Sequence, residues 1–241
     1  MQHHDCPVYV DDDLLDRIYE ELEAGGQYPW PEQILHLTPQ NTNQPAWIKL
    51  LALIEQAISE QWENFALGEH FSREERETII TLPPSIAQLK SVRKLNVYGS
   101  SLLYLPPQIG EMENLEEFIP YTSYGLHWFP FEITKCRKLR HSTVSTRALY
   151  GNCKYRPPFP AINSPETVDA LRPSRCSVCE SPLNGHIENV WHSLPVGTDI
   201  LPLLVHACSR KCIDTLPDAP ETYIKRPHHG GLSQKQADIE W

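Results

Sequence analysis

The sequence lacks any apolar run that approaches the roughly 18 residues of a membrane-spanning helix. Its opening segment, Met1 to Asp13, also lacks the basic stretch followed by apolar residues that marks a secretion signal. These two absences predict a cytoplasmic protein that does not interact with membranes. The hydrophobic fraction of 40% is ordinary for a globular chain, and 241 residues are enough to bury a sizeable core.

The chain has fewer basic than acidic residues. Lys and Arg number 21 against 31 Asp and Glu, so the formal net charge is −10. A chain this acidic repels phosphate backbones as a whole. The composition therefore disfavours nucleic acid as a partner unless a local basic patch supplies the contacts.

The common catalytic motifs are missing as well. The chain has no G-x-x-x-x-G-K-[ST], no G-x-G-x-x-G, no H-E-x-x-H and no G-x-S-x-G. The sequence therefore predicts no catalytic residue, and it favours a binding function over an enzymatic one.

An internal repeat occupies about residues 80 to 150. Two copies, TLPPSIAQLKSVRKLNVYGSSL from Thr81 and YLPPQIGEMENLEEFIPYTSYGL from Tyr104, align their apolar positions at a spacing of 23 residues. A third, degraded copy follows one residue late, from Phe129 to Val144. One such unit cannot bury its own apolar face, so a stack that is covered at both ends is expected.

The repeat L-x-x-L-P-x-x-I-x-x-L-x-x-L-x-x-L-x-L resembles the leucine-rich-repeat family, in the 23-residue Leu-Pro-Pro type of bacterial and plant intracellular proteins. The resemblance implies an α/β fold, a short solenoid of about three repeats. It implies parallel strands at Lys94 to Tyr98, Glu117 to Tyr121 and His141 to Ser145. It also implies a concave face that binds partners, formed here by Lys94, Asn96, Tyr98, Glu117, Ile119, Tyr121, His141, Thr143 and Ser145.

This sequence departs from the family at the buried asparagine of each repeat. The alignment places Ser100, Ser123 and Arg147 at that position. Because the asparagine ladder normally satisfies backbone groups of the turns, we expect a replaced or broken ladder. Pro120, which cannot donate a ladder hydrogen bond, also predicts an irregular strand.

The segments on either side of the repeats are predicted to cover the ends of the stack. Asp11 to Ala24 and Trp47 to Phe65 place apolar residues at helical spacing, and Ser72 with Glu75 is typical of a capping box. We therefore expect an N-terminal helical cap over residues 1–79 and repeats over 80–150. A proline-rich strap or linker, 151–172, could close the other end, and 218–241 is expected to be a tail that is mobile over its last dozen residues.

Four of the seven cysteines form two close pairs within residues 173–217. Because cytosolic thiols stay reduced, this clustering favours a metal ion over disulfides. Pairs spaced C-x2-C and C-x3-C let two thiolates face one tetrahedral ion, and the segment resembles zinc-ribbon and treble-clef modules. The expected cofactor is structural Zn²⁺, since four thiolates leave no position open for water. The ligands would be Cys176, Cys179, Cys208 and Cys212.

Neighbouring residues leave some alternatives. His186 or His206 could replace one thiolate, although the all-cysteine set is favoured. Strands are expected at His186 to His192 and Leu201 to Ala207, between the two cysteine pairs. Cys136 occupies a repeat position, so it is interpreted as a core residue rather than a nucleophile.

The favoured function is a protein–protein interaction scaffold that binds through the concave face of the repeats. One alternative is a zinc-ribbon protein that binds nucleic acid through a basic cluster around the cysteines. Another is a ubiquitin-ligase-like effector, but two zinc ions of a ring-type module would need about eight ligands. The basic cluster of the first alternative comprises Arg172, Arg175, Arg210 and Lys211.

Overall fold

The computed structural model describes residues 20, 32–35, 38–154, 156–162, 171–185 and 187–237. The helix expected at Asp11 to Ala24 lies outside these residues except for Glu20, which is helical. Within the described chain no helix is both long and apolar enough to cross a membrane.

Between residues 38 and 79, all of them described, the chain forms the helices α1 (Pro45–Ser59), α2 (Leu67–His70) and α3 (Arg73–Glu77). The helix expected at Trp47 to Phe65 is confirmed, but it ends sooner because Gln61 adopts a φ of 54° and redirects the chain. The capping box is confirmed: the Ser72 hydroxyl accepts a hydrogen bond from Glu75 N, and the Glu75 carboxylate accepts one from Ser72 N.

A four-stranded parallel sheet follows, in the order β1 (Asn64–Ala66), β2 (Lys94–Asn96), β3 (Glu117–Ile119) and β5 (His141–Ser142). Strands β2, β3 and β5 coincide with the starts of the three expected strands, and their register pairs equivalent positions of the repeats. Strand β1 was not expected, because the segment before the repeats was interpreted as entirely helical.

The strands are shorter than expected, for identifiable reasons. After β2, the Asn96 side-chain oxygen accepts a hydrogen bond from Tyr98 N at 3.0 Å, which turns the chain. After β3, Pro120 has no N–H to donate. Strands β2 and β3 therefore each contribute one central buried residue to the core, Leu95 and Phe118.

A 3₁₀ helix precedes each of the strands β2, β3 and β5: Pro84–Gln88, Pro107–Glu111 and Phe131–Lys135. One isoleucine from each is fully buried against the strands, and burying such a side chain stabilises the fold by about 1.5–3 kcal/mol. These residues are Ile86, Ile109 and Ile133.

Serines replace the missing asparagines. The Ser100 and Ser123 hydroxyl oxygens lie 2.8 Å apart, and the Ser123 hydroxyl donates to Val97 O at 2.9 Å. Ser123 Oγ also accepts from Ser100 N. In the third repeat Ser145 Oγ accepts a hydrogen bond from Thr122 N at 2.7 Å, one residue before the position equivalent to Ser100. The ladder is therefore replaced by hydroxyl groups rather than broken.

A second sheet has the order β4 (Phe129–Pro130), β7 (Asp199–Ala207) and β6 (Glu188–Val196). Strands β6 and β7 form an antiparallel hairpin where two shorter strands were expected, and His186 lies outside the described residues. Strand β4 belongs to the third repeat and pairs in parallel with β7. The cysteine-bearing segment therefore packs directly on the repeats.

The turn of this hairpin covers the free edge of β5. Ser142 N donates to Thr198 Oγ1 at 3.1 Å, Thr198 Oγ1 donates to Ser142 O at 2.7 Å, and the Ser142 hydroxyl donates to Asp199. Gly197 has a φ of 61°, and a Cβ there would lie 2.9 Å from Ser142 Oγ, so only glycine permits this approach. The hairpin turn closes the sheet edge, the place proposed for the proline-rich strap.

The strap packs on the hairpin instead. Trp191 Nε1 donates to Pro160 O at 2.8 Å, and the Phe159 ring lies 5.6 Å from the Trp191 ring. Part of the expected tail is ordered there too. His228 exchanges backbone hydrogen bonds with Trp191 and is buried, and Gly231 N donates to Phe159 O.

The serine ladder yields a stability prediction. Replacing Ser123→Ala removes the hydrogen-bond partner of the buried Ser100 hydroxyl, and one of the two partners of Val97 O and of Ser100 N, which stay bonded to each other. We therefore expect a loss of about 1–3 kcal/mol in the free energy of unfolding. Urea unfolding followed by circular dichroism measures this loss. The half-buried Ser101, changed to Ala, is the control and should shift stability by no more than about 0.5 kcal/mol. Equal effects of the two substitutions would contradict a structural role for the ladder.

Candidate metal centre and strand face

The first cysteine pair lies on a tight turn before the hairpin. Glu180 N donates to Cys176 O at 3.0 Å, Cys176 N donates to Ser181 O at 2.8 Å, and Glu180 adopts a φ of 62°. These bonds fold the chain so that the Cys176 and Cys179 thiols lie on the same side. Because residues with positive φ are uncommon outside glycine, this local strain indicates a turn held by its surroundings.

The second pair comes from two different elements. Cys208 follows the end of β7, and Cys212 lies in the short helix α4 (Arg210–Asp214), whose N-cap is Ser209. The sequence was interpreted as two similar knuckles. The structure shows a turn, a hairpin and a helix that together bring the second pair over the first.

The four thiols converge on one point, with all sulfur atoms within 4.8 Å of one another. The Cys208 sulfur lies 3.6 Å from that of Cys179 and 3.6 Å from that of Cys212. Four sulfurs around a tetrahedral Zn²⁺, with Zn–S bonds of about 2.3 Å, would be separated by about 3.8 Å. The set therefore has the size and donor chemistry to hold a tetrahedral metal ion, and none of these cysteines forms a disulfide.

Hydrogen bonds favour the thiolate form of Cys179, whereas the hydrogen bond to Cys179 raises the pKa of Cys208 and burial raises the pKa of Cys212. Cys179 N and Cys208 N point at the Cys176 sulfur, at 3.5 and 3.4 Å. The hydroxyl and backbone N–H of Ser181 lower the pKa of Cys179 to about 6. Since the thiolate is the metal-binding form, the Ser181 donors prepare Cys179 for a cation.

Histidine is not part of the described cluster. His206 is buried, its Nδ1 lies 2.7 Å from the Asn189 side-chain oxygen, and burial lowers its pKa to about 4. It is a neutral core residue rather than a ligand. His186, the other alternative, lies outside the described residues.

The metal centre is joined to the third repeat by polar contacts that the sequence did not reveal. The Ser177 hydroxyl donates to Glu132 at 2.7 Å and accepts from His206 N at 3.0 Å. Lys135 forms an ion pair of 3.1 Å with Glu180. Glu132 is buried, and that burial raises the pKa of its carboxyl. No sequence pattern relates a glutamate of the repeat to a serine between two cysteines.

The expected partner-binding residues share one face of the parallel sheet, with one exception. Lys94 and Glu117 form an ion pair of 2.9 Å across β2 and β3. The rings of Tyr98 and Tyr121 lie 6.1 Å apart with 51% and 47% of their surface exposed. Ser145 is buried in the ladder. Of the others, His141 and Thr143 are exposed, and Asn96 and Ile119 are half-buried.

One exposed aromatic residue that follows Tyr121 in the chain was not predicted from the sequence. Tyr124 is 47% exposed and lies just beyond Tyr121 in the same repeat. Because it falls outside the alternating strand positions, periodicity could not assign it to the face.

The basic cluster proposed around the cysteines is partly neutralised. Arg210 pairs with Asp214 at 3.0 Å, and Arg175 donates to Glu180 O at 2.9 Å. Arg172 and Lys211 are exposed.

Cys136 is a core residue as expected: it is buried, and this burial raises the pKa of its thiol to about 12.

Glu132 yields a prediction about pH. Because burial raises the folded-state pKa of this carboxyl, the stability it contributes is full below its ordinary value of 4.5 and falls as pH rises through the folded-state pKa. Glu132→Gln keeps an acceptor for Ser177 without the charge. We expect urea unfolding at equal metal content to show the variant gaining stability over the wild type as pH rises from about 4.5 to 7.5. A difference that does not change with pH would contradict this assignment.

The cysteine cluster yields a prediction about metal content. The purified wild type should contain about one metal ion per chain by inductively coupled plasma mass spectrometry, and Cys176→Ser/Cys208→Ser should contain almost none. The exposed Cys153, changed to Ser, is the matched control and should keep the ion. Metal-free wild type purified under reducing conditions would remove the basis for a metal centre.

Comparison with known proteins adds little. No protein-family model matches the chain, and no curated protein matches it. Among solved structures, a leucine-rich-repeat protein of Leptospira interrogans is similar with a TM-score of 0.26 and 23% sequence identity. The match covers 32% of this chain and 20% of that protein, so the aligned part spans about a fifth of the other protein's length.

Proposed function

We propose that this protein binds another protein through the exposed face of its parallel sheet, and that a zinc ion supports the sheet without taking part in chemistry. The observation that carries the proposal is the pair Tyr98 and Tyr121, whose rings pack together while about half of each remains in solvent. Large, rigid aromatic side chains with a polar tip are the residues that dominate protein interfaces.

The proposal treats the parallel sheet as a short leucine-rich-repeat solenoid. Its support is the repeated unit: a 3₁₀ helix opened by Leu-Pro-Pro, then a strand, with equivalent positions of the first two repeats paired in register. The hydroxyls of Ser100 and Ser123 take the place of the family's asparagines inside this unit. In such an array, side chains that alternate with the buried ones project from one face and are available to a partner.

Zinc is the ion we propose for the cysteine cluster. Four sulfur donors at tetrahedral distances suit Zn²⁺, and a closed four-thiolate site is structural rather than catalytic. The succession of turn, hairpin and helix is similar to a treble clef. Reduced thiols also suit the cytoplasm, which we propose as the compartment.

The composition of the face favours protein over nucleic acid as the partner. Its one cation in the middle of the sheet, Lys94, is paired with Glu117, and its aromatic residues are tyrosines next to Ile119. A nucleic-acid surface would present unpaired Lys and Arg to phosphates. No residue of this face forms the nucleophile-and-base arrangement that an enzyme needs, so we propose binding rather than catalysis.

Site-specific photocrosslinking tests this proposal. A benzophenone side chain in place of the exposed Thr143 leaves both tyrosines intact and should form a discrete adduct with a partner in cell lysate. Adding Tyr98→Ala/Tyr121→Ala should reduce the adduct by about tenfold or more, because central aromatic contacts contribute most of the binding energy.

The control places the same benzophenone at Ile48, which is 58% exposed on α1 and far along the chain from the face. It should give no such adduct. Adducts that form equally at both positions, or that persist after both tyrosines are replaced, would contradict the proposed binding face.

A further inference from the structure

Charges alternate from one strand to the next along the parallel sheet. The main-chain oxygens of Glu63, Arg93 and Glu116 each accept two N–H groups at the start of the following strand, so these residues occupy equivalent positions. Arg140 N donates to Glu116 O and continues the series. The signs along this column are therefore negative, positive, negative and positive.

Two neighbouring columns repeat the alternation in the first and second repeats. The ion pairs are Lys90 with Glu113 at 3.3 Å, Arg93 with Glu116 at 2.8 Å and Lys94 with Glu117 at 2.9 Å. The second repeat thus presents carboxylates as Glu-x-x-Glu-Glu, and each one meets a cation of the first repeat. Opposite charges at adjacent positions stabilise the chosen register, and like charges there would oppose it.

The third repeat continues the pattern with cations that have no such counterpart. Arg137, Lys138 and Arg140 are exposed on its outer side. Lys138 donates to the Asn114 side-chain oxygen, whereas Arg137 and Arg140 form no close ion pair within the described part of the chain. Arg137 contributes, after Lys135 and Arg175, to the lowered pKa of the Glu180 carboxyl. In a chain with net charge −10, this basic row is a local exception.

If the alternation continued, a fourth repeat would place carboxylates next to these cations. The hairpin turn occupies that end of the sheet instead. It provides Thr198 and Asp199, and the Asp199 carboxylate already accepts from the Ser142 hydroxyl at 2.6 Å. On the other side, Lys135 neutralises Glu180. The cations of the third repeat are therefore the last in the alternating series, and they are exposed to solvent.

We propose that Arg137, Lys138 and Arg140 form a docking row for an acidic segment of a protein partner. The segment would present carboxylates with the Glu-x-x-Glu spacing by which the second repeat pairs with the first. This surface is separate from the tyrosine pair, so the inference does not depend on the proposed function. Complementary charge of this kind raises association rates and selects partners, and salt screens it.

Fluorescence anisotropy tests the docking row with a labelled peptide that repeats Glu-Ala-Ala-Glu-Glu, at low ionic strength. The full-length protein should bind this peptide, should not bind the version with Gln for Glu, and should release it as salt is added. Arg137→Glu/Arg140→Glu should weaken binding by at least about tenfold, because each reversal replaces an attraction with a repulsion.

Lys225→Glu/Arg226→Glu is the matched control, since it changes the net charge equally at exposed residues that pair with Asp218. It should bind the peptide within about twofold of the wild type, and melting curves should show both variants folded. No binding by the wild type, or equal weakening in both variants, would overturn the docking row. Tighter binding of a single-stranded oligonucleotide than of the acidic peptide would also overturn it, in favour of a nucleic-acid partner.

Discussion

The edge of the last parallel strand is the constraint on which the rest of this structure depends. Each repeat buries one side of its apolar core against the previous repeat. Its other side, which includes an unpaired strand edge, must be covered by the next repeat or by another part of the chain. After β5 the described part of the chain forms no further strand of this sheet, and the Thr198 side chain bonds the N–H and the C=O of Ser142. Leu194, Val196, Leu201 and Leu203 of the same hairpin join the core of the repeats.

The position of that hairpin is set at its other end by the cysteine cluster. Strands β6 and β7 carry the chain from the covered sheet edge to the point where four sulfurs meet. Between these two ends, Ser177 and Glu132 tie the cysteine turn to the third repeat. The hairpin thus joins the cysteine cluster at one end to the covered edge of β5 at the other.

Two surfaces result from the same repeat geometry. Positions that alternate with buried leucines bring Tyr98 and Tyr121 together on the strand face. Positions just before each strand carry the alternating charges that end in Arg137 and Arg140. Equivalent residues of successive repeats lie on adjacent strands. Residues that recur about every 23 positions in the sequence therefore form a row across the surface of the sheet. At the end of the array Arg137 and Arg140 are exposed to solvent and form no close ion pair among the described residues.

Much of this architecture could be predicted from sequence, because its signals are local and periodic. The spacing of Leu82 and Leu105 identified the repeats, Ser72 and Glu75 identified a helix start, and two cysteine pairs identified a metal-binding set. Other features depend on residues far apart in the chain. Strand β1 pairs with β2 across a long stretch of chain, and the hydroxyl of the third repeat comes from Ser145, two residues before the aligned Arg147. The contacts of Thr198 with Ser142, and of His228 with Trp191, join segments that no period relates. The sequence by itself determined which units form, since hydrophobic spacing and turn chemistry act within a few residues. Only the tertiary structure decided what covers their ends, because closure depends on which distant backbone groups remain unpaired once the units have stacked.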